Sequence, residues 1–427
     1  MLACLCAAAS AGAEPRELTI TDLGWPIATL GGIAKRRLTV VDAMAKGTSI
    51  ASVLPGTRLT WSHIFEGDRK CKAWLMLEPR GWVCSSEVTP TEKPATSEAP
   101  PMQREQWADV RGDGADAFDS PAEIRSGVAT KRVAGKSFVA LRGNGASVVV
   151  DGARYYKTDQ GWIAGRSLAW YEPSSWSGLE LARDAWHDDL AWAVARVPGA
   201  KVDVRGEPDR TAKVVRKLAP RERVTIVDTR QANNDFVRIS SDGGEAAWVA
   251  RRDLRLPQRA PRPDGVTARE RWIDVDLDGQ WLVAYEGDTP VFVTLVSTGR
   301  KDWGTPTGIY RIRGKEAVAR MKAPAGMTES WDVADVPWSM RFRQNFALHG
   351  TYWHDSFGRI RSHGCVNLST ADAKRLWSWI SPEAPPGWID VEAELDRGTP
   401  VRIHSERDPT PSWRDYDGTP IAIEARK

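Results

Sequence analysis

Leu348-His349-Gly350-Thr351-Tyr352-Trp353-His354-Asp355-Ser356-Phe357-Gly358-Arg359-Ile360-Arg361-Ser362-His363-Gly364-Cys365-Val366-Asn367-Leu368 gathers three of the chain's six histidines around one cysteine. A free thiol titrates near ~8.5, so it needs a neighbouring imidazole or oriented backbone dipoles to act as a nucleophile at neutral pH. Apolar Phe346 to Leu348 should deliver His349 on a strand, and the glycine-rich return loop can bring Cys365 back beside it. Gly364 lets the chain turn tightly before the thiol and leaves backbone N–H groups unhindered, as an oxyanion hole requires. This pattern suits acyl transfer. Three other readings stay open on the residues alone. His349, His354, His363 and Cys365 could bind a metal, although their spacing fits no common zinc pattern and they supply one thiolate. Cys365 could also be an inert core thiol, or a redox thiol without a resolving partner.

Working outward, 427 residues exceed one ordinary core and suggest two to four domains. Hydrophobic residues at 41% and charged residues at 27% describe a water-soluble composition, with no apolar run long enough to span a bilayer. The net charge of +3 comes from mixed signs, so no nucleic-acid footprint is visible. Residues 1–13, MLACLCAAASAGA, are apolar and end in the small-x-small form Ala11-Gly12-Ala13; without a basic start they read as a truncated signal peptide. Export, to a periplasm or cell envelope, is therefore expected. Removing that segment leaves Cys71, Cys84 and Cys365. In an oxidising compartment Cys71 and Cys84, on neighbouring strands of one small segment, would pair, leaving Cys365 as the odd thiol.

Three segments close with one phrase: Gly81-Trp82-Val83-Cys84, Gly161-Trp162-Ile163-Ala164 and Ala247-Trp248-Val249-Ala250, each following β-branched runs. The fold class is mainly β. Small β-barrels are expected at 24–90, 128–172 and 195–256, the tryptophans serving as core. Pro-, Ala- and Glu-rich residues 91–127 read as a linker, residues 257–269 as a second linker, and residues 405–427 as a loose charged tail. Between the last two, 270–404 forms a separate domain. Ile273, Val275 and Leu277 alternate up to Asp278-Gly279, a hairpin signal, with a returning strand from Trp281. Ser369 can cap a short helix with Asp372 three residues on, and Ala373, Leu376, Trp377 and Ile380 recur at helical spacing.

His349-Gly350 followed by Ser362-His363-Gly364-Cys365-Val366-Asn367, with Val296-Ser297-Thr298-Gly299 and Gly304-Thr305-Pro306-Thr307-Gly308 upstream, resembles the L,D-transpeptidase catalytic domain. The barrels resemble bacterial SH3-like domains, the third most clearly. The resemblance implies a β-sandwich with a short helix, acting on peptidoglycan stem peptides in cell wall biogenesis. It assigns Cys365 as nucleophile, His349 as base, and His363 as a second histidine near the oxyanion. Gly350 would orient His349 through its carbonyl. Ser362 would support the loop, and Asn367 and Arg361 would meet substrate. His354 has no assigned role and defaults to a surface histidine. Neither metal nor organic cofactor is implied. The acyl group would pass to an amine, giving a 3-3 cross-link, or else to water or a protein lysine; the SH3-like units would hold wall glycan. A wall-binding adaptor with a degenerate catalytic domain is the competing class.

Overall fold

The computed structural model describes residues 15–93, 106–143, 145–182, 186, 189–228, 235–240, 247–323, 331–394 and 396–422. The segment read as a signal peptide lies outside them. The chain divides into two compact units, Met1–Pro101 with Ala384–Val391, and Met102–Glu383 with Glu392–Lys427.

In the first unit, Gly31–Ala34 pairs antiparallel with Arg58–Leu59 and Val88–Thr91. Leu38–Val41, Ser49–Val53, Trp61–Glu66, Ala73–Leu77 and Trp82–Cys84 form a second sheet. Period-two alternation sends Val40, Val53, Ile64, Leu75 and Val83 into one core. Cys71 and Cys84 are joined by a disulfide, their Cα atoms 5.6 Å apart. A distant segment completes this barrel: Val391 pairs with Ala51, and Trp388 enters the core.

The second unit begins earlier than composition indicates. Residues 91–127 were expected as linker, yet Trp107–Val110 and Gly114–Phe118 are strands, and Pro121–Ser126 is a helix capped by Ser120. The first of these strands pairs with Phe138–Ala140 and Leu168–Trp170, the second with Lys131–Ala134 and Gly161–Ala164. The β-unit thus runs from 107 to 170 rather than from 128. Its first two strands place Ala108, Ala115 and Ala117 in a core completed by Val110, Val133, Val139, Ile163 and Leu168. Alanine-rich strands look like linker by composition, and only their alternation betrays them.

Another barrel spans Leu190–Ala193 to Leu254–Arg255, starting a strand before the expected residue 195. In all three repeats the tryptophan phrase is a strand followed by a single 3-10 turn, at Ser85–Glu87, Gly165–Ser167 and Arg251–Asp253. Trp162 and Trp248 are buried, whereas Trp82 is half-exposed.

The rest of the second unit is a sandwich. One sheet orders Leu179–Glu180, Thr289–Leu295, Trp281–Glu286, Arg271–Asp276, Pro400–His404 and Gly308–Arg311, and the expected hairpin pairs Asp276 with Trp281. The other contains Gly314–Lys322, Asp332–Arg343, Phe346–Gly350 and Val366–Leu368. Helix Thr370–Trp379 buries Ala373, Leu376 and Trp377, with Ser369 Oγ accepting from Asp372 N–H at 3.1 Å. The tail is not loose as far as residue 422. Trp413 is buried and donates to Asp264 O at 2.8 Å, and Arg414 N–H bonds Ile309 O at 2.9 Å. The buried indole outweighs the charged composition of the segment.

Candidate active site

Two adjacent strands of the second sheet carry the site. Phe346–Gly350 and Val366–Leu368 run parallel with His349 opposite Asn367. Side chains repeat every two residues, so Cys365, two before Asn367, presents on the same face as His349. Both side chains line one cavity of about 310 Å³. Cys365 also borders a second cavity of about 540 Å³, so the thiol stands where two clefts meet.

His349 is only 2% exposed, and its Nδ1 lies 3.0 Å from Gly350 O. A carbonyl can only accept, so Nδ1 carries the proton and Nε2 keeps its lone pair. Burial drives the imidazole down to about 4, against the opposing pull of the Gly350 carbonyl. The imidazole is therefore held neutral, with Nε2 as the nitrogen able to accept a proton. Burial pushes the Cys365 thiol up to about 11, opposed by a hydrogen bond with the Ala347 backbone. Burial thus disfavours the charged form of both groups.

The loop before Cys365 is held at several points. Gly364 has φ +122°, and a Cβ there would meet Phe346 Cε1 at 2.6 Å. Its N–H donates to Ser362 Oγ at 3.1 Å, and Ser362 Oγ in turn donates to Cys365 O. Gly364 thus serves the turn, and its own N–H is already engaged rather than open to an oxyanion. Thr305 was noted in the upstream motif without a role. Its hydroxyl donates to Gly364 O at 2.7 Å and accepts from Gly299 N–H at 2.9 Å, tying that motif to the thiol loop.

His363 lies between Trp303 and Trp331, with ring centroids at 5.6 and 5.7 Å, and its Nε2 is 2.6 Å from Arg300 Nη2. A guanidinium only donates, so that nitrogen accepts, and its lone pair is not available to the thiol proton. Arg361 is exposed and lines the smaller cavity together with Arg300, which sequence reasoning missed although it directly follows Ser297-Thr298-Gly299.

His354 is not a surface residue. Its Nδ1 accepts from Ser356 N–H at 3.1 Å, so the proton of the neutral ring sits on Nε2, which lies 2.9 Å from the side-chain amide of Asn367. Burial holds this imidazole down to about 3, with the Arg361 charge adding to the effect. The amide atom facing His354 is Asn367 Nδ2, and Asn367 Oδ1 is buried with no hydrogen-bond partner among the described residues. Asn367 lines the thiol cavity. The three histidines have ring nitrogens committed to different partners, and among the described residues no group of three His, Cys, Asp or Glu side chains is placed to hold a metal ion.

Comparison with known proteins fits this geometry. Residues 270–403 match the family described as the L,D-transpeptidase catalytic domain, and residues 200–255 match the bacterial SH3 domain. A putative L,D-transpeptidase YkuD of Bacillus licheniformis is 29% identical to this chain over 118 residues, which is 28% of this chain and 63% of the relative. An L,D-transpeptidase of Enterococcus faecium is 23% identical, over 32% of this chain and 50% of that one, with a TM-score of 0.26. L,D-transpeptidase 3 of Mycobacterium tuberculosis is 16% identical, over 40% of this chain and 77% of that one, again with a TM-score of 0.26. The chain thus spans about half to two-thirds of the length of the first relatives it matches. The catalytic sandwich and the SH3-like barrel are the parts of this chain that the family matches cover.

Proposed function

We propose that this chain is an L,D-transpeptidase that cross-links peptidoglycan stem peptides through a thioester on Cys365. The observation carrying the reading is the shared face of His349 and Cys365, open to one cavity, with Nε2 of the buried imidazole left as acceptor. In this reading Cys365 Sγ attacks the carbonyl joining the third and fourth residues of a donor tetrapeptide while His349 Nε2 takes the thiol proton. The imidazolium returns that proton to the departing D-alanine amine as the C–N bond breaks. An amine of a second stem, from a third-position diamino acid such as meso-diaminopimelate, then attacks the thioester. His349 takes the proton of the attacking amine, and the leaving thiolate recovers one, so the enzyme is restored. The intermediate splits one hard displacement into two, and no cofactor enters. The SH3-like barrels would hold the chain on wall glycan in the envelope, in keeping with the export reading of the N-terminus.

Intact-mass spectrometry with ertapenem tests the reading. A single adduct on the wild-type chain, absent from Cys365→Ala, is expected; no adduct would favour a wall-binding adaptor. Incubation with purified peptidoglycan then identifies the acceptor. Dimers joined between two third-position residues support transpeptidation, whereas shortened monomers alone would mean that water is the acceptor, and stem peptides attached to a protein lysine would mean anchoring.

A further inference from the structure

The β-unit of residues 107–170 sits where sequence repeats suggest a wall-binding module, yet it is bolted to the catalytic sandwich within the same compact unit. Trp107 stacks on Tyr352, ring centroids 4.4 Å apart and planes 9° apart, and its Nε1 donates to Asp335 O at 3.2 Å. Arg142 grips the Asp335 carboxylate through both terminal nitrogens, at 2.5 and 2.9 Å. Asp159 accepts from Arg320 at 2.8 Å. A planar two-point guanidinium contact and a stacked aromatic pair fix orientation as well as distance.

The consequence falls at Phe138. This half-buried residue packs against Tyr171 at 5.9 Å and Trp353 at 5.7 Å, and Trp353 lies 5.8 Å from the His349 ring. Phe138 lines the same cavity as Cys365 and His349, and Met321, Trp331 and Val333 extend that wall as an apolar surface. The cavity's cationic groups are Arg300 and Arg361. An apolar wall beside guanidinium groups suits a methylene chain that ends in a carboxylate.

We propose that Phe138 is a specificity-determining residue of the active site, and that the 107–170 unit exists there to present it against the methylene chain of the donor stem's third-position diamino acid. The inference rests on the acyl-transfer reading of Cys365. Its test compares two donor tetrapeptides, one with a long diamino acid and one with alanine at the third position, on the full chain. Phe138→Ala should raise KM about tenfold for the long-chain donor, with kcat changed less than about twofold, and leave the alanine donor unaffected, because the lost contact is apolar area against that chain alone. Phe138→Trp, which keeps an aromatic wall, should hold KM for the long-chain donor within about twofold of wild type. Equal losses on both donors, or no loss on either, would overturn the assignment. An unchanged rate of Cys365 alkylation by iodoacetamide and an unchanged melting temperature separate loss of the wall from loss of fold. If the wild-type chain forms no thioester with either donor, the acyl-transfer reading itself fails, a result distinct from an indifferent Phe138.

Discussion

The protonation state of Cys365 can be read directly by raising the pH. Burial raises the thiol to about 11, so at pH 7.5 roughly one thiol in three thousand is ionised, against about one in ten for a free cysteine near ~8.5. Alkylation by iodoacetamide, which reports the thiolate, should therefore run on the order of a few hundredfold slower at Cys365 than at a free cysteine. Its rate should climb about tenfold per pH unit from pH 6 to about 10, with no plateau on the way. Peptide-resolved mass spectrometry follows Cys365 alone. His349→Ala should leave this profile in place, because the resting imidazole does not create the thiolate, while slowing acylation by a donor peptide by about 10²–10⁴. A plateau in the wild-type profile with a midpoint below pH 7, abolished in His349→Ala, would show a standing thiolate–imidazolium pair. It would refute the inference that the proton moves only as the carbonyl is attacked.

The same burial couples to acid stability. His349 and His354 are held at about 4 and about 3, below the ordinary 6.5, so between those limits the unfolded chain binds protons that the folded chain refuses. Stability should be full above about pH 6.5 and fall as the pH drops towards 4, by on the order of 3 kcal/mol for His349 alone; denaturant titrations at pH 7 and 4.5 check this, and His349→Gln should reduce the difference by about half, the His354 share remaining. Lys315 is fully buried and donates to Trp377 O at 2.6 Å and Ile380 O at 3.0 Å, closing the C-terminal end of helix Thr370–Trp379. Lys315→Met leaves both carbonyls unanswered and should cost about 2–4 kcal/mol by denaturant unfolding. The Cys71–Cys84 bridge closes a short loop with a sequence separation of 13, so Cys84→Ala should destabilise the first unit by roughly 3 kcal/mol, read as a lowered first transition in thermal unfolding.

Much of the fold is legible because local signals agree with the packing. The Asp278-Gly279 turn, the Ser369 cap and the three tryptophan phrases each state a geometry within a few residues, and the structure uses all of them. What escaped was non-local or compositionally disguised. Trp107–Val110 and Gly114–Phe118 were hidden among Pro, Ala and Asp because several of their inward positions are alanine, with larger aliphatics from other strands completing the core. Trp388 completes a core built more than three hundred residues earlier in the chain, and no window of local sequence contains that pairing.

The active site divides along the same line. His349, Gly350, Ser362, Gly364 and Cys365 act through neighbours in sequence or through one strand pairing, so their spacing is enough to pick them out. The tautomer of His349 is set by the very next residue. The electrostatic state of that imidazole is another matter, because its displacement comes from burial. Trp353 packs against that ring, and Phe138 packs in turn against Trp353 and Tyr171. On the proposed reading, the motif residues carry the reacting atoms, and Phe138, far away in sequence, lines the cavity that would admit substrate. For this reason reactivity and specificity should separate under mutation: changes at 349 and 365 should act on kcat, and changes at 138 on KM.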